Sequence, residues 1–253
     1  MTRATPTPAW FSIPIRNGAR SLFRSATLSL AMNPIFEGNE FAENPEPRAL
    51  CVLVLDTSGS MSGPPIAELN AGLQRFKSDL ERSPLAAKRV EPVVVTFGGG
   101  VRVESPPATV EHFTPPSLRA SGNTPLGAAL NTALELVAQR KEEYRAAGVS
   151  YYRPWVFVFS DGEPNDAWQE AADRLAAEEE RKGLVVFAVG VEGANFDVLR
   201  NVARKNAPVR LKDVEHFAEM FRWLSNSLQQ VSSSRVGEQL RLEPPKGWGV
   251  IES

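Results

Sequence analysis

Residues 49–63 read ALCVLVLDTSGSMSG, and the change of character at Asp56 organises the reading of the rest of the chain. Ala49 to Leu55 is a nearly continuous apolar run, well short of the roughly 20 residues that a membrane-spanning helix needs. A run of this length without polar alternation fits a central strand covered on both faces. It stops on a carboxylate, followed by hydroxyl-bearing residues and glycine, which is the composition of a turning loop. Gly59 is the residue expected to permit tight backbone there.

Working outward, Pro64 and Pro65 mark a helix start, and Ile66, Leu69, Leu73, Phe76 and Leu80 make one helical stripe. Glu91 to Phe97 (EPVVVTF) is a second strand, and Val101 to Glu104 (VRVE) pairs back on it across the turn Gly98 to Gly100. A connection through Pro106, Pro107, Pro115 and Pro116 leads to a helix carrying Leu126, Leu130, Leu134 and Val137. Trp155 to Asp161 (WVFVFSD) is a third long strand and ends on a carboxylate, as the first does. Ala167 to Lys182 reads as a helix ended by Gly183 in a left-handed cap. Leu184 to Val191 is then a strand, Phe196 to Lys205 a helix, and Val209 to Lys212 a short edge strand. Phe217, Phe221, Leu224, Leu228 and Val231 define the last helix. Short strands alternating with longer helices predict an α/β sheet covered on both faces.

The chain has 253 residues, with Lys+Arg 28 against Asp+Glu 30 and a formal charge of −2. That balance disfavours a non-specific nucleic-acid role. A chain of this size buries roughly 70% of its unfolded surface, so the core needs no staples, and the single Cys51 reads as a small buried hydrophobe. Residues 1–38 carry Arg3, Arg16, Arg20 and Arg24 with no acid before Glu37. They read as a basic, disordered leader, with a basic docking arm or a start at Met32 as alternatives. Residues 39–233 form the expected domain, and 234–253 a tail that packs on it.

In an open parallel sheet, ligands bind beyond the carboxyl ends of the strands. Two strands finish there on Asp56 and Asp161, and between them in sequence the loop from Ser121 to Pro125 opens a helix at residue 126. The Asp56 carboxylate and the Ser58 and Ser60 hydroxyls can be aimed at one point, with Thr124 and Asp161 adding a hydroxyl and a second carboxylate. Five oxygens without imidazole or thiolate suit magnesium or manganese rather than zinc or copper. Calcium fits less well, since it prefers more ligands and bidentate carboxylates. Each residue also has a local alternative: capping for Ser58 and Ser60, an N-cap for Thr124 before Pro125, and turn formation for Asp161 before Gly162. Glu163 and Asp166 read as a solvated turn and a helix N-cap rather than an acidic rim. Trp155 and Trp168 read as core rather than partner-facing anchors.

The order D-x-S-x-S, then a loop threonine, then an aspartate at a strand end resembles the metal-ion-dependent adhesion site (MIDAS) of von Willebrand factor A (VWA) domains. Asn44 to Arg48 (NPEPR), Thr124 to Gly127 (TPLG), Tyr151 to Trp155 (YYRPW) and Asp161 to Asp166 (DGEPND) further resemble bacterial TerY-like VWA proteins linked with tellurite resistance. The resemblance implies a Rossmann-like, mostly parallel sheet with one antiparallel edge strand. It implies that Ser58, Ser60 and Thr124 coordinate the ion through hydroxyls, while Asp56 and Asp161 bind it directly or through water. It also implies a non-enzymatic module whose protein partner supplies an Asp or Glu carboxylate to the metal. A cytoplasmic stress-response or signalling assembly with kinase or phosphatase components is the corresponding setting.

Two other readings stay open. A magnesium ion between two aspartates can promote phosphoester hydrolysis with Ser58 or Ser60 as nucleophile, though His112 and His216 have no spacing that ties them to the serines. Alternatively, a carboxylate of the chain itself, such as Glu40, Glu43 or Glu252, fills the site and the domain is a scaffold.

Overall fold

The computed structural model describes residues 13–14 and 40–252, apart from 161, 162 and 192. In chain order the elements are β1 (Ile13–Pro14), α1 (Glu40–Glu43), β2 (Ala49–Asp56), α2 (Pro64–Glu81), α3 (Pro84–Arg89), β3 (Val90–Phe97), β4 (Val101–Ser105), α4 (Leu126–Ala146), β5 (Trp155–Ser160), α5 (Gln169–Glu180), β6 (Val185–Gly190), α6 (Phe196–Val202), β7 (Val209–Leu211), α7 (Phe217–Ser233), β8 (Gln239–Leu240) and β9 (Gly249–Ile251). Seven strands make one sheet in the order β4-β3-β2-β5-β6-β7-β9. The five from β3 to β7 in that order are parallel and β4 is antiparallel at one edge, the α/β arrangement expected.

Strand alternation divides the apolar run of β2 between two cores. Cys51, Leu53 and Leu55 pack with side chains of α2, α3 and α7, while Leu50, Val52 and Val54 pack with those of α4, α5 and α6. Because both faces are equally apolar, a one-residue slip of β2 would lose little burial. Its register is held by polar residues at the two ends, Arg48 bonded to Glu91 at one and Asp56 to Ser160 at the other. Cys51 is fully buried, and burial pushes its thiol well above the usual range, so it behaves as packing material.

Several boundaries differ from the sequence reading. The left-handed residue after α5 is Lys182 (φ 59), not Gly183. The helix ends earlier than its charge pattern suggests, and Gly183 instead donates its N–H back to the Glu178 carbonyl at 2.8 Å. The short helix α3 was not anticipated, although Ser83 caps it and Pro84 opens it. Strand β7 is not an edge, because β9 pairs with it antiparallel and covers its open side. The segment before β9 is anchored by Trp248, buried 5.7 Å from the ring of Trp223, whose Nε1 donates to the Glu243 carbonyl. Of residues 1–38 only Ile13 and Pro14 fall among those described, and they pair with Gln239 and Leu240. No helix among the described residues is long and apolar enough to cross a membrane.

Candidate functional site

Asp56 closes β2 and Ser160 closes β5, and the two strands pair in parallel with Leu55 opposite Phe159. From β2 the chain passes first to β3 on one side and later to β5 on the other. The gap between β2 and β5 is therefore the topological switch point where open α/β sheets leave a crevice.

Asp56 has no exposed surface. Its Oδ1 accepts the Ser58 N–H at 2.8 Å, which turns the chain at once, and its Oδ2 accepts the Ser160 hydroxyl at 2.8 Å. The Ser58 and Ser60 hydroxyls stand 3.0 Å apart, the first buried and the second exposed. Buried Met61 pins the single 3-10 turn Gly59–Met61 to the core. Ser58 precedes that turn without a side-chain capping bond, so capping does not account for its hydroxyl.

Backbone bonds dock the next loop onto this one. Ser121 N–H donates to the Thr57 carbonyl at 2.8 Å, Gly59 N–H to the Gly122 carbonyl at 3.0 Å, and Gly99 N–H to the Asn123 carbonyl at 3.1 Å. The tight position is Gly122, with φ +72 and room for no Cβ, which would lie 2.2 Å from Gly99 Cα. Gly59, singled out from the sequence, would place a Cβ 3.6 Å from the Gly122 carbonyl oxygen, an ordinary contact. The close approach arises between loops rather than within the D-x-S-x-S turn.

Thr124 is buried, and its carbonyl accepts N–H bonds from Leu126 at 2.9 Å and Asn165 at 3.1 Å. It is not the N-cap of α4. Pro125 holds that place without a side-chain bond, and Asp166 supplies the cap from another loop. Its Oδ1 and Oδ2 accept the N–H groups of Gly127 and Ala128 at 2.9 and 3.0 Å, a good place for a carboxylate beside a helix N-terminus. Asp166 thus caps α4 rather than its own helix α5, as the sequence reading had it. Gly127 makes the approach possible, since a Cβ there would sit 2.5 Å from the Ala167 carbonyl oxygen. These contacts clamp Thr124 to the segment that follows Asp161. Asp161 itself, with Gly162, lies outside the described residues.

Asp56, Ser58 and Ser60 therefore share one loop, and the loop of Thr124 is bonded to it. Sequence reasoning passed over Ser160, whose partnership with Asp56 is legible only once β2 and β5 are known to be neighbours in register. Other candidates are occupied elsewhere. Glu163 accepts from Asn195 at 3.1 Å, His112 bonds Thr109 at 3.0 Å, and His216 bonds Asp213 at 2.7 Å. Glu40 is paired with Arg140 at 2.7 Å and Glu252 with Arg210 at 2.6 Å, so two of the three carboxylates considered as internal occupants are held away by cations. Trp155 is buried in the core, and Trp168 packs partly buried on the opposite face. Among the described residues no three His, Cys, Asp or Glu side chains gather as a metal cluster; the loops are rich in hydroxyls instead.

The family model for the von Willebrand factor type A domain matches residues 51–230. No curated protein matches the chain. Among solved structures, proximal thread matrix protein 1 from the mussel byssus, in a structure with a zinc-occupied MIDAS motif, aligns with a TM-score of 0.50 and 20% identity, over 72% of this chain and 48% of that one. This chain thus spans about half the length of the mussel protein. The vWF domain of the type V pili tip protein Mfa5 from Porphyromonas gingivalis aligns with a TM-score of 0.53 and 11% identity, over 75% and 97% of the two chains. The pilus adhesin SpaC from Lactobacillus rhamnosus GG gives a TM-score of 0.59 and 11% identity, over 73% and 30%. At such identities the likeness is one of fold. With the family match covering most of the chain and the sheet order to go with it, the protein belongs to the von Willebrand factor type A domain family.

Proposed function

We propose that the loops around Asp56 hold a divalent cation through Asp56, Ser58, Ser60, Thr124 and Asp161, and that through it the domain recruits a carboxylate of a protein partner. The observation that carries this reading is the pair of Ser58 and Ser60 hydroxyls, 3.0 Å apart beside a buried carboxylate. Neighbouring oxygens around an octahedral ion with bonds of about 2.0–2.1 Å are separated by about 3 Å. The longer bonds of calcium, about 2.3–2.6 Å, call for a wider octahedral spacing. An all-oxygen set at this spacing suits magnesium or manganese. Zinc belongs in the test, because it occupies the motif of the mussel protein.

When bound, such an ion supplies one strong, directional contact to an anionic oxygen. The protein's own residues prepare for it. The Ser58 amide and Ser160 hydroxyl orient the Asp56 carboxylate, and the backbone bonds between the two loops support including Thr124 in the set. Its position in the chain directly after Ser160 supports including Asp161 in the set. Hydroxyl ligands neutralise the ion only in part, which favours an incoming carboxylate. The reading is of a binding module, since both histidines are engaged with Thr109 and Asp213 and neither is available beside the serines as a general base.

Residues 39–233 are taken as the interaction domain, 1–38 as a leader and 234–253 as a tail packed on it, a division that β9 and Trp248 support for the tail. The TerY-like stretches of sequence support a cytoplasmic stress-response or signalling assembly with a kinase or phosphatase component. A role in thiol chemistry with tellurium has no support, given the buried, raised thiol of Cys51. Calorimetric titration of wild type and Asp56→Ala with magnesium, manganese and zinc tests the site: binding in wild type and loss in the variant is expected, and equal affinities overturn it. A pull-down that recovers the same partners in EDTA as in magnesium overturns the metal-dependent recruitment.

A further inference from the structure

Beside the Asp56 loop lies a polar pocket of about 270 Å³, bounded by Thr57, Thr96, Leu118 and Ser121, with Arg102, Glu104 and Arg119 also on its walls. It shares structure with the candidate site. Thr57 stands between Asp56 and Ser58 in the chain, and its carbonyl accepts the Ser121 N–H at 2.8 Å, three residues before Thr124. The pocket and the crevice are thus two sides of one wall.

Among the described residues Arg48, Arg89, Arg140, Arg204 and Arg210 are each tied to a carboxylate. Arg102 and Arg119 are exposed, and among the described residues neither is paired with a carboxylate. The pocket's own acid, Glu104, accepts from the Thr96 hydroxyl at 3.2 Å. Two guanidinium groups against one engaged carboxylate leave an excess of positive charge, in a recess lined by hydroxyls and large enough for a side chain. Planar guanidinium groups suit carboxylates in geometry as well as charge.

We infer that this pocket receives a second acidic side chain of the partner, so that the domain selects a segment carrying two carboxylates, one at the proposed ion and one between Arg102 and Arg119. The inference rests on the reading of the Asp56 crevice as the contact for a partner carboxylate. In an extended segment, side chains two residues apart lie on one side, about 6–7 Å from each other. A Glu-x-Glu segment presents two carboxylates at that spacing.

The test uses acetylated, amidated, fluorescently labelled peptides of sequence Gly-Ser-Glu-Gly-Glu-Ser-Gly and the two versions with one Glu replaced by Gln. In magnesium, fluorescence anisotropy is expected to show the two-acid peptide binding wild type about tenfold more tightly than either one-acid peptide, as close charge pairs across an interface do. The double variant Arg102→Gln, Arg119→Gln should lose that preference while keeping wild-type affinity for the one-acid peptides and for magnesium. Glu104→Gln, which keeps an acceptor for Thr96, should increase the preference. No preference in wild type, or one that persists in the double variant, overturns the inference. Calorimetry on the same samples separates the two ideas. Magnesium binding without peptide preference sinks the pocket alone. A preference that survives EDTA and vanishes in the double variant sustains the pocket and sinks the role of the ion.

Discussion

Both ends of the sheet hold a fully buried carboxylate, Glu91 at the start of β3 and Asp56 at the end of β2, and the chain treats them in opposite ways. Glu91 accepts from Arg48 Nε at 2.9 Å, from Arg140 Nε and Nη2 at 2.9 and 2.8 Å, and from the Tyr144 hydroxyl. Arg140 also reaches Glu40 and Glu143 at 2.7 and 2.8 Å, with the Phe41 ring 4.8 Å from its guanidinium. Burial by itself lowers the pKa of Arg140, but Glu91, together with Tyr144 and Glu40, outweighs it and the net direction is upward. Tyr144 is pushed up too, first by burial and then by Glu91. Asp56 is met instead by an amide and a hydroxyl, with two further serine hydroxyls close by. Glu91 is closed in by cations of its own chain, whereas the Ser58 amide and the Ser160 hydroxyl that reach Asp56 are neutral donors. The first arrangement serves the fold and the second suits binding.

The comparison can be broken most decisively at Glu91. Glu91→Gln takes from buried Arg48 its paired carboxylate and from Arg140 one of three, and removing one partner of such a network costs about 3–5 kcal/mol. Urea unfolding should show that loss, with magnesium affinity of the folded protein unchanged; a cost below about 1 kcal/mol would mean that the network is not the anchor described. Gly127→Ala should act on both properties, because its Cβ would lie 2.5 Å from the Ala167 carbonyl oxygen and 2.8 Å from Trp168 Cα. Overpacking of this kind costs about 1–3 kcal/mol, and the loosened clamp should weaken ion binding as well. Unchanged ion affinity would show that the clamp does not position Thr124.

Ser58→Ala is the converse of Glu91→Gln. Ion affinity should fall about tenfold, equivalent to about 1.4 kcal/mol, while urea stability moves by less than about 1 kcal/mol. A stability loss without loss of affinity would assign Ser58 to the fold.

The smallest effect is expected at Glu179, near the amino end of the sheet, where its Oε1 accepts the Val186 N–H at 2.9 Å. Burial raises its pKa, so the folded state keeps the proton to higher pH than the unfolded chain does. Stability from this group therefore declines as pH rises from the ordinary carboxylate range through the raised value. Glu179→Gln should remove that slope from the pH dependence of unfolding, and identical slopes in variant and wild type would refute the assignment.

Local pattern carried much of this. The strands β2, β5 and β6 were legible because burial on both faces writes itself as an unbroken apolar run. The Asp56, Ser58 and Ser60 loop was legible because its members are two residues apart. Gly59 misled because a glycine in a loop advertises tight backbone, while the demanding contact was between Gly122 and Gly99, in loops distant in sequence. Asp166 misled for a similar reason: a carboxylate just before a helix reads as that helix's cap, and its true targets, Gly127 and Ala128, lie on another helix. Glu91 looked like the polar first residue of a strand, and nothing adjacent to it announces Arg48, Arg140 and Tyr144.

By itself, then, the sequence determined the α/β class, the two-sided core and the run of hydroxyls after Asp56, because apolar period and turn chemistry are properties of neighbouring residues. Tertiary structure alone decided that Ser160 meets Asp56, that Asp166 caps α4, that β9 covers β7 and that Arg102 and Arg119 flank a pocket one residue from the crevice. Each of these depends on strand order and register. Those are set by burial summed over the whole sheet and by the polar residues at its two ends, which no local window contains.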